Sequence, residues 1–364
     1  MRGVSTVTNR KTLKMPIEQV KPGWILGKDV CSNEGSVLLA QDIILTEYGL
    51  TKLQDWGIRF VDVLMKDDPI PTPLSKPVHQ HTKEDVKFFD IYIKSVNTIG
   101  QLFAEMKTAK KVPLQNFQVI AENVLEQVLG VQGVLSRLRQ VKSGDEYTFN
   151  HSLNVGIYSV LIGKWLNYDE EALRKLAMAG VLHDIGKAKI PPEILSKPGP
   201  LTSDEFEVMK QHSLLGYKMI KATPGLDYEI GMAVLQHHER EDGLGYPLSL
   251  DALSIGMFAK IIAVADTYDA MTSDRVYRAK CTPYMAADVI MESSFKSLDP
   301  SIVQSFLHRI TSFFFCDRVR LSNGVIGTIV NVNTLRPTRP LIQTDQGFID
   351  LDKHNNLKIV EVLQ

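Results

Sequence analysis

Short apolar runs broken by Gly, Pro and Asn open and close this chain, and between them apolar residues recur three or four positions apart. That change of period divides the chain. Residues three or four apart share one face of a helix, whereas alternate residues share one face of a strand. Near the start, Val20-Lys21-Pro22-Gly23-Trp24 has turn chemistry, and Trp24 to Val30 and Ser36 to Leu39 read as short strands. Thr46 to Asp55 reads as a helix capped by Thr46 and ended by Gly57, with a strand over Phe60 to Leu64. The prolines of Asp67-Asp68-Pro69-Ile70-Pro71-Thr72-Pro73 then break any continuing helix or ladder, which makes this stretch a linker.

From about Lys83 the helical period takes over. Val86, Phe89, Ile93 and Val96 form one predicted stripe, and Ile120, Val124, Val128 and Val131 form another. The stretch from His151 to Tyr277 is also mainly helical, with His151, Val155, Tyr158, Ile162 and Trp165 on one face. Beyond Asp317 the runs shorten again: Arg318 to Leu321, Gly324 to Val332, Leu341 to Gln343 and Gly347 to Leu351 predict a β-unit of five strands or fewer. The fold expected is mainly α. It comprises a small α+β domain over residues 1–66, a Pro-rich linker over 67–82, a helical domain over 83–316 and a β-rich unit over 317–364.

Composition narrows the class. The 364 residues are 44% hydrophobic and 23% charged, with a formal net charge of -1. These values argue against a disordered chain and against a binder of nucleic-acid polymers, which would show a basic excess. The three cysteines, Cys31, Cys281 and Cys316, form no CxxC pair and suit a reducing compartment. Neither a secretory h-region nor an apolar run of ~18 residues is present, so a cytoplasmic protein with no membrane partner is expected.

The candidate chemistry lies in the central helical stretch. It holds His183-Asp184-Ile185-Gly186-Lys187, His237-His238-Glu239 running on to Gly243-Leu244-Gly245-Tyr246-Pro247, and also His151, His212 and Asp266. Imidazoles and carboxylates on apolar runs lose hydration on burial and need partners. Taken together they are seven donors suited to divalent metal. Two ions ~3.5–4 Å apart would use such a set for hydrolysis, making hydroxide available near neutral pH and offsetting phosphoryl charge. Mixed His and carboxylate donors without thiolate favour iron, manganese or zinc over calcium or magnesium. Lys187 stands four positions after His183, one turn along the same face if that helix continues. Arg275 and Arg278 are residue types that clasp phosphate, and Tyr277 between them can stack on a base.

The His151-Ser152 pair, the HDIGK run, Lys210-Gln211-His212, HHEREDGLGYP and the Ala263 to Arg278 segment together resemble an HD-GYP domain, over about Asp145 to Ala279. The resemblance implies an HD-superfamily helical bundle and a metal-dependent phosphodiesterase. Such an enzyme hydrolyses cyclic di-GMP to pGpG, or on to GMP, by attack of metal-activated hydroxide on phosphorus. By position it implies that His151, His183, Asp184, His212, His237, His238 and Asp266 are the ligands of divalent ions, iron or manganese, with Asp184 as the bridge. It further implies that Lys187 acts on phosphate, that Arg275 and Arg278 lie near substrate, and that Gly245, Tyr246 and Pro247 form a loop linked to substrate-site shape and to GGDEF-domain partners. The segment before the linker is similar to the small domain that often precedes such modules.

In two places the chain departs from the family pattern. Trinuclear members carry a glutamate four residues before the first histidine, where this chain has Tyr147, so two ions and pGpG as the product are expected. Lys260 stands where relatives often have arginine. Two other readings remain open at this stage: hydrolysis of another cyclic dinucleotide such as 3′,3′-cGAMP, and a non-catalytic module that binds nucleotide or a GGDEF partner. The helices from Lys83 to Lys142 offer a surface for a homodimer.

Overall fold

The computed structural model describes residues 12–21, 24, 26–28, 30–31, 37–39, 45, 50, 53–54, 57–64, 83–130, 134–139, 141, 147–273, 281–294, 296–312, 317–332, 336 and 338–363. The chain forms two compact units, residues 1–80 and 81–364.

In the first unit β1 (Thr12–Pro16) pairs antiparallel with β4 (Phe60–Leu64), and β2 (Val30–Cys31) pairs with β3 (Val37–Leu39). Val61 and Val63 point into a core with Ile17, Leu26 and Leu53, while Phe60 between the strands' ends stays exposed, as a period of two requires. Of the strand expected from Trp24 to Val30, only Val30 joins a strand among the described residues; Trp24, Leu26, Gly27 and Lys28 do not. Leu26 makes a single bridge to Val63, and the chain bends at Gly27, whose N–H donates to the Asp62 carbonyl. β1 went unpredicted because its run is short and ends in Pro16, which by itself reads as a turn. Leu50, Leu53 and Gln54 of the expected helix are helical; the rest of that helix and the linker lie outside the described residues.

The second unit is built around α4 (Tyr147–Trp165), following α1 (Lys83–Met106), α2 (Leu114–Gly130) and α3 (Val134–Leu138). Leu153, Val155, Ile157, Val160 and Ile162 bury α4 on nearly every side. Against it crosses α5 (Glu170–Leu182), capped by Asp169, whose side chain accepts from the Ala172 N–H. The two backbones nearly touch: a Cβ on Gly180 would lie 2.8 Å from the Gly156 Cα. The next helices are α6 (Pro192–Leu195), α7 (Ser203–Lys221) with a Thr202/Glu205 capping box, α8 (Tyr228–Gln236), α9 (Met257–Thr272), α10 (Pro283–Ser293) and α11 (Pro300–Ser312).

α1 corrects the predicted stripe. Its buried face is Phe88, Tyr92, Val96, Ile99 and Phe103, whereas Val86 and Ile93 are 58% and 57% exposed and Phe89 is half-buried. Two apolar stripes run along this helix, and the one with the larger rings faces inward because it removes more apolar area from water. On α2 the predicted Ile120, Val124 and Val128 are buried; Val131 lies outside the described residues.

The end of the chain forms a five-stranded antiparallel sheet in the order β8-β7-β6-β5-β9, from β5 (Arg318–Leu321), β6 (Ile326–Asn331), β7 (Leu341–Thr344), β8 (Gly347–Asp350) and β9 (Ile359–Leu363). Val319, Leu321, Ile329, Ile342 and Ile359 from its inner face join the apolar core of the helices. No helix among the described residues is long and apolar enough to cross a membrane.

Candidate metal centre

Five helices deliver the donors. His151 comes from α4, His183 and Asp184 from the end of α5, His212 from α7, His237 and His238 from the end of α8, and Asp266 from α9. α5 is apolar and buried from Leu176 to Leu182 and then stops, so His183 and Asp184 emerge deep in the core, each 1% exposed. The chain continues as a 3-10 turn over Ile185–Lys189. Gly186 sits against the backbone of α7: a Cβ there would overlap the His212 carbonyl and lie 2.6 Å from the Gly216 nitrogen. Only glycine brings these two ligand-bearing segments so close.

This turn corrects one sequence expectation. The helix does not continue from His183 to Lys187, so Lys187 is placed by the 3-10 turn instead. Its N–H donates to the Asp184 carbonyl, and its Nζ lies 2.5 Å from Asp184 Oδ2. The lysine still reaches the cluster, but through the tighter turn.

Backbone carbonyls fix three of the rings. The Nδ1 of His183, His212 and His237 lies 2.8, 2.7 and 2.7 Å from the carbonyls of Gly180, Met209 and Val234, each three residues back. A carbonyl can only accept, so each Nδ1 carries the hydrogen and each Nε2 keeps its lone pair. Those lone pairs converge on Asp184. Its Oδ2 is 3.2 Å from His183 Nε2 and 3.9 Å from His151 Nε2; its Oδ1 is 3.4 Å from His212 Nε2 and 4.0 Å from His237 Nε2. His151 Nε2 is also 3.1 Å from Asp266 Oδ1. The seven side chains form two groups able to hold a metal ion, Asp184/His212/His237/His238 and His151/His183/Asp266, each with its donor atoms within 4.8 Å of one another.

The donor set fits divalent ions. His212 and His237 bring their Nε2 atoms within 3.4 Å, where two lone pairs repel unless a cation stands between them. Both His183 Nε2 and Asp184 Oδ1 are buried without a hydrogen-bond partner among the described residues. Electrostatics favours neutral imidazole at His237 and His238 beside the ionised carboxylates of Asp184 and Asp266. Burial and the neighbouring histidines push His237 well below its ordinary value, and burial with His212 takes His238 down to about 3. Burial works against ionised Asp184, but His183 and Lys187 outweigh it and hold the carboxyl well below the usual range; His151 does the same for Asp266. His151 itself is raised to about 9, because Asp266 and Asp269 overcome the effect of burial.

Two acids that sequence reasoning passed over support the cluster. Asp269, 1% exposed, places Oδ2 2.7 Å from His151 Nδ1 and lies one helical turn beyond Asp266; that i, i+3 spacing was the available signal. Glu239, 4% exposed, accepts from the N–H groups of Leu248 and Leu250 at 2.6 and 2.9 Å and so shapes the loop that carries Gly245-Tyr246-Pro247. In that loop a Cβ on Gly245 would come within 2.5 Å of the Glu239 Cα, and Pro247 follows a cis peptide. The Tyr246 ring lies 4.7 Å from the His238 ring at 32°, so the loop folds down onto the ligand cluster. Arg275, Tyr277 and Arg278 lie outside the described residues.

Helices that carry paired His and Asp donors around one buried carboxylate define a helical scaffold with a candidate metal site. Residues 137–302 match the family model of the HD domain, and this part of the chain is similar to that family. The chain is 31% identical over 234 residues to the cyclic di-GMP phosphodiesterase PA4108 of Pseudomonas aeruginosa, covering 64% of this chain and 56% of that protein. It is 36% identical over 217 residues to a cyclic di-GMP phosphodiesterase of Thermotoga maritima, covering 59% of this chain and 56% of that one. The chain thus spans little more than half the length of these curated relatives. Among solved structures it resembles Bd1817, an HDG"Y"P protein from Bdellovibrio bacteriovorus, with a TM-score of 0.51 at 15% identity over 81% of this chain and 98% of that one; at that identity the likeness is one of fold.

Proposed function

We propose that this protein is a metal-dependent phosphodiesterase that opens cyclic di-GMP to pGpG in the cytoplasm. The observation that carries the reading is the two-group donor cluster hinged on Asp184, with Asp184 Oδ1 and His183 Nε2 buried and unpartnered. His151, His183 and Asp266 would hold one ion, His212, His237 and His238 the other, and Asp184 would serve both. Iron or manganese suits these donors best. When bound, such ions supply hydroxide near neutral pH and offset charge on the phosphoryl oxygens.

The chain's own residues set the rest of the reaction. Water adds to phosphorus, the bond from phosphorus to the ribose 3′-oxygen breaks, and that oxygen leaves with a proton. Lys187, a quarter exposed and beside Asp184, puts positive charge at the edge of the cluster, where a phosphodiester approaches. Arg275 and Arg278 would clasp the second phosphate, with Tyr277 against a base. The Tyr246 ring covers His238 and keeps solvent off that side, while its phenol stays protonated through burial and the nearby Asp184 and Asp266. Leu244 and Leu248, exposed on the same loop, suit contact with a GGDEF-domain partner, and exposed Val86 and Ile93 suit a homodimer.

The test is product analysis after anaerobic loading with iron(II) or manganese(II), using cyclic di-GMP and 3′,3′-cGAMP side by side. The expected result is pGpG from cyclic di-GMP and none from the Asp184→Ala protein. Preference for 3′,3′-cGAMP would move the assignment to that dinucleotide. Turnover of neither substrate by protein holding two ions would point to a non-catalytic module.

A further inference from the structure

α1 lies outside the segment that matches the HD domain, yet a line of buried hydrogen bonds runs from it to the donor cluster. Tyr92 Oη donates to Asn154 Oδ1 at 2.7 Å, Asn154 Nδ2 donates to Asp269 Oδ1 at 2.8 Å, and Asp269 Oδ2 lies 2.7 Å from His151 Nδ1. Ser273 Oγ donates to the same Asp269 Oδ1 at 3.1 Å. Tyr92, Asn154, Asp269 and His151 are 2%, 9%, 1% and 4% exposed, so water has little access to replace any of these bonds.

We propose that Tyr92 is a positioning residue of the metal centre, acting through Asn154 and Asp269 to fix the His151 ring. The inference rests on the metal-site reading above and adds to it a residue from beyond the HD domain. A buried carboxylate with one oxygen on His151 needs donors on the other, and the Asn154 amide supplies one. Turning its Nδ2 toward Asp269 leaves the amide oxygen buried, and the Tyr92 hydroxyl is the group that satisfies it. Without that hydroxyl the amide gains by rotating away, Asp269 loses a donor, and the imidazole is no longer held with Nε2 toward Asp266 and Asp184. A second tie joins the same helix to the cluster from its other end. Lys189 Nζ, two residues beyond Lys187, donates to the carbonyls of Lys107 and Ala109 just after α1.

The test is a competition titration of manganese(II) against a chromophoric chelator for the parent, Asp269→Asn and Tyr92→Phe proteins, with thermal midpoints of the metal-free forms. Removing the direct partner, Asp269, should weaken one of the two ions, the one held with His151, by roughly 10–100-fold. Tyr92→Phe keeps the ring in the core and should weaken the same ion by a smaller factor, with turnover restored at saturating manganese. If Tyr92→Phe does not fold, Asn154→Ser cuts the line from α4 and should give the same loss. Parental manganese affinity in the folded variant, whatever its thermal midpoint, would overturn the proposal. A parent protein that binds no manganese would instead contradict the metal-site reading itself.

Discussion

A histidine whose Nδ1 hydrogen is held by a backbone carbonyl has one nitrogen left for other chemistry, and three rings in this cluster are set that way. That His183-Asp184 and His237-His238 meet in one cluster was legible in the sequence, because such pairs on apolar runs have few structural uses. Asp269 was not, since one acid on an apolar helix face says nothing of which ring it meets. Lys187 was legible as a residue but not in its placement, which depends on where α5 stops. Two substitutions test this scale. Lys187→Ala should keep its metal and lose roughly 10²–10³-fold in turnover, the magnitude usual for removing a charge-stabilising group; metal content and kcat measured together decide it. Gly186→Ala must separate the HD turn from α7. It should cost about 1–3 kcal/mol by overpacking and lower metal retention, read by denaturant unfolding and metal analysis.

Among the elements, the loop after α8 is organised by one buried carboxylate. Glu239 holds two backbone N–H groups of that loop, and each bond to a charged acceptor contributes about 1.5–3 kcal/mol. Glu239→Gln should therefore loosen the loop over Tyr246 and raise KM for the dinucleotide, while the seven donors keep their metal. Unchanged KM would separate loop order from substrate binding. Long periodic helices were read correctly as helices, but periodicity did not choose between the two apolar stripes of α1, because the choice depends on what packs opposite. β9 lacked a sequence signal strong enough to stand alone, and it pairs with β5 only because the sheet presents an edge.

For the whole molecule, the shifts of His238 and His151 oppose each other. In metal-free protein His238 sits at about 3 against 6.5 when unfolded, so the unfolded chain binds more protons below 6.5. Its contribution to stability is present above about pH 6.5 and is lost toward pH 3. His151, raised from 6.5 to about 9, contributes fully below about pH 6.5 and loses that contribution as pH rises through 9. The thermal midpoint of chelator-treated protein should then peak near pH 6.5 and fall on both sides; a monotonic profile would contradict the charge arrangement described. Bound metal should raise that midpoint, by about 2.7 kcal/mol of stability at a hundredfold excess over Kd.

The most direct test of the central claim is a titration of metal-free protein with manganese(II), in which bound equivalents and cyclic di-GMP turnover are read from the same samples. The structure predicts two equivalents per chain, held by the two donor groups around Asp184, with pGpG formation arising as the second group fills. Full turnover without metal, or two bound ions with no hydrolysis of cyclic di-GMP, would contradict it.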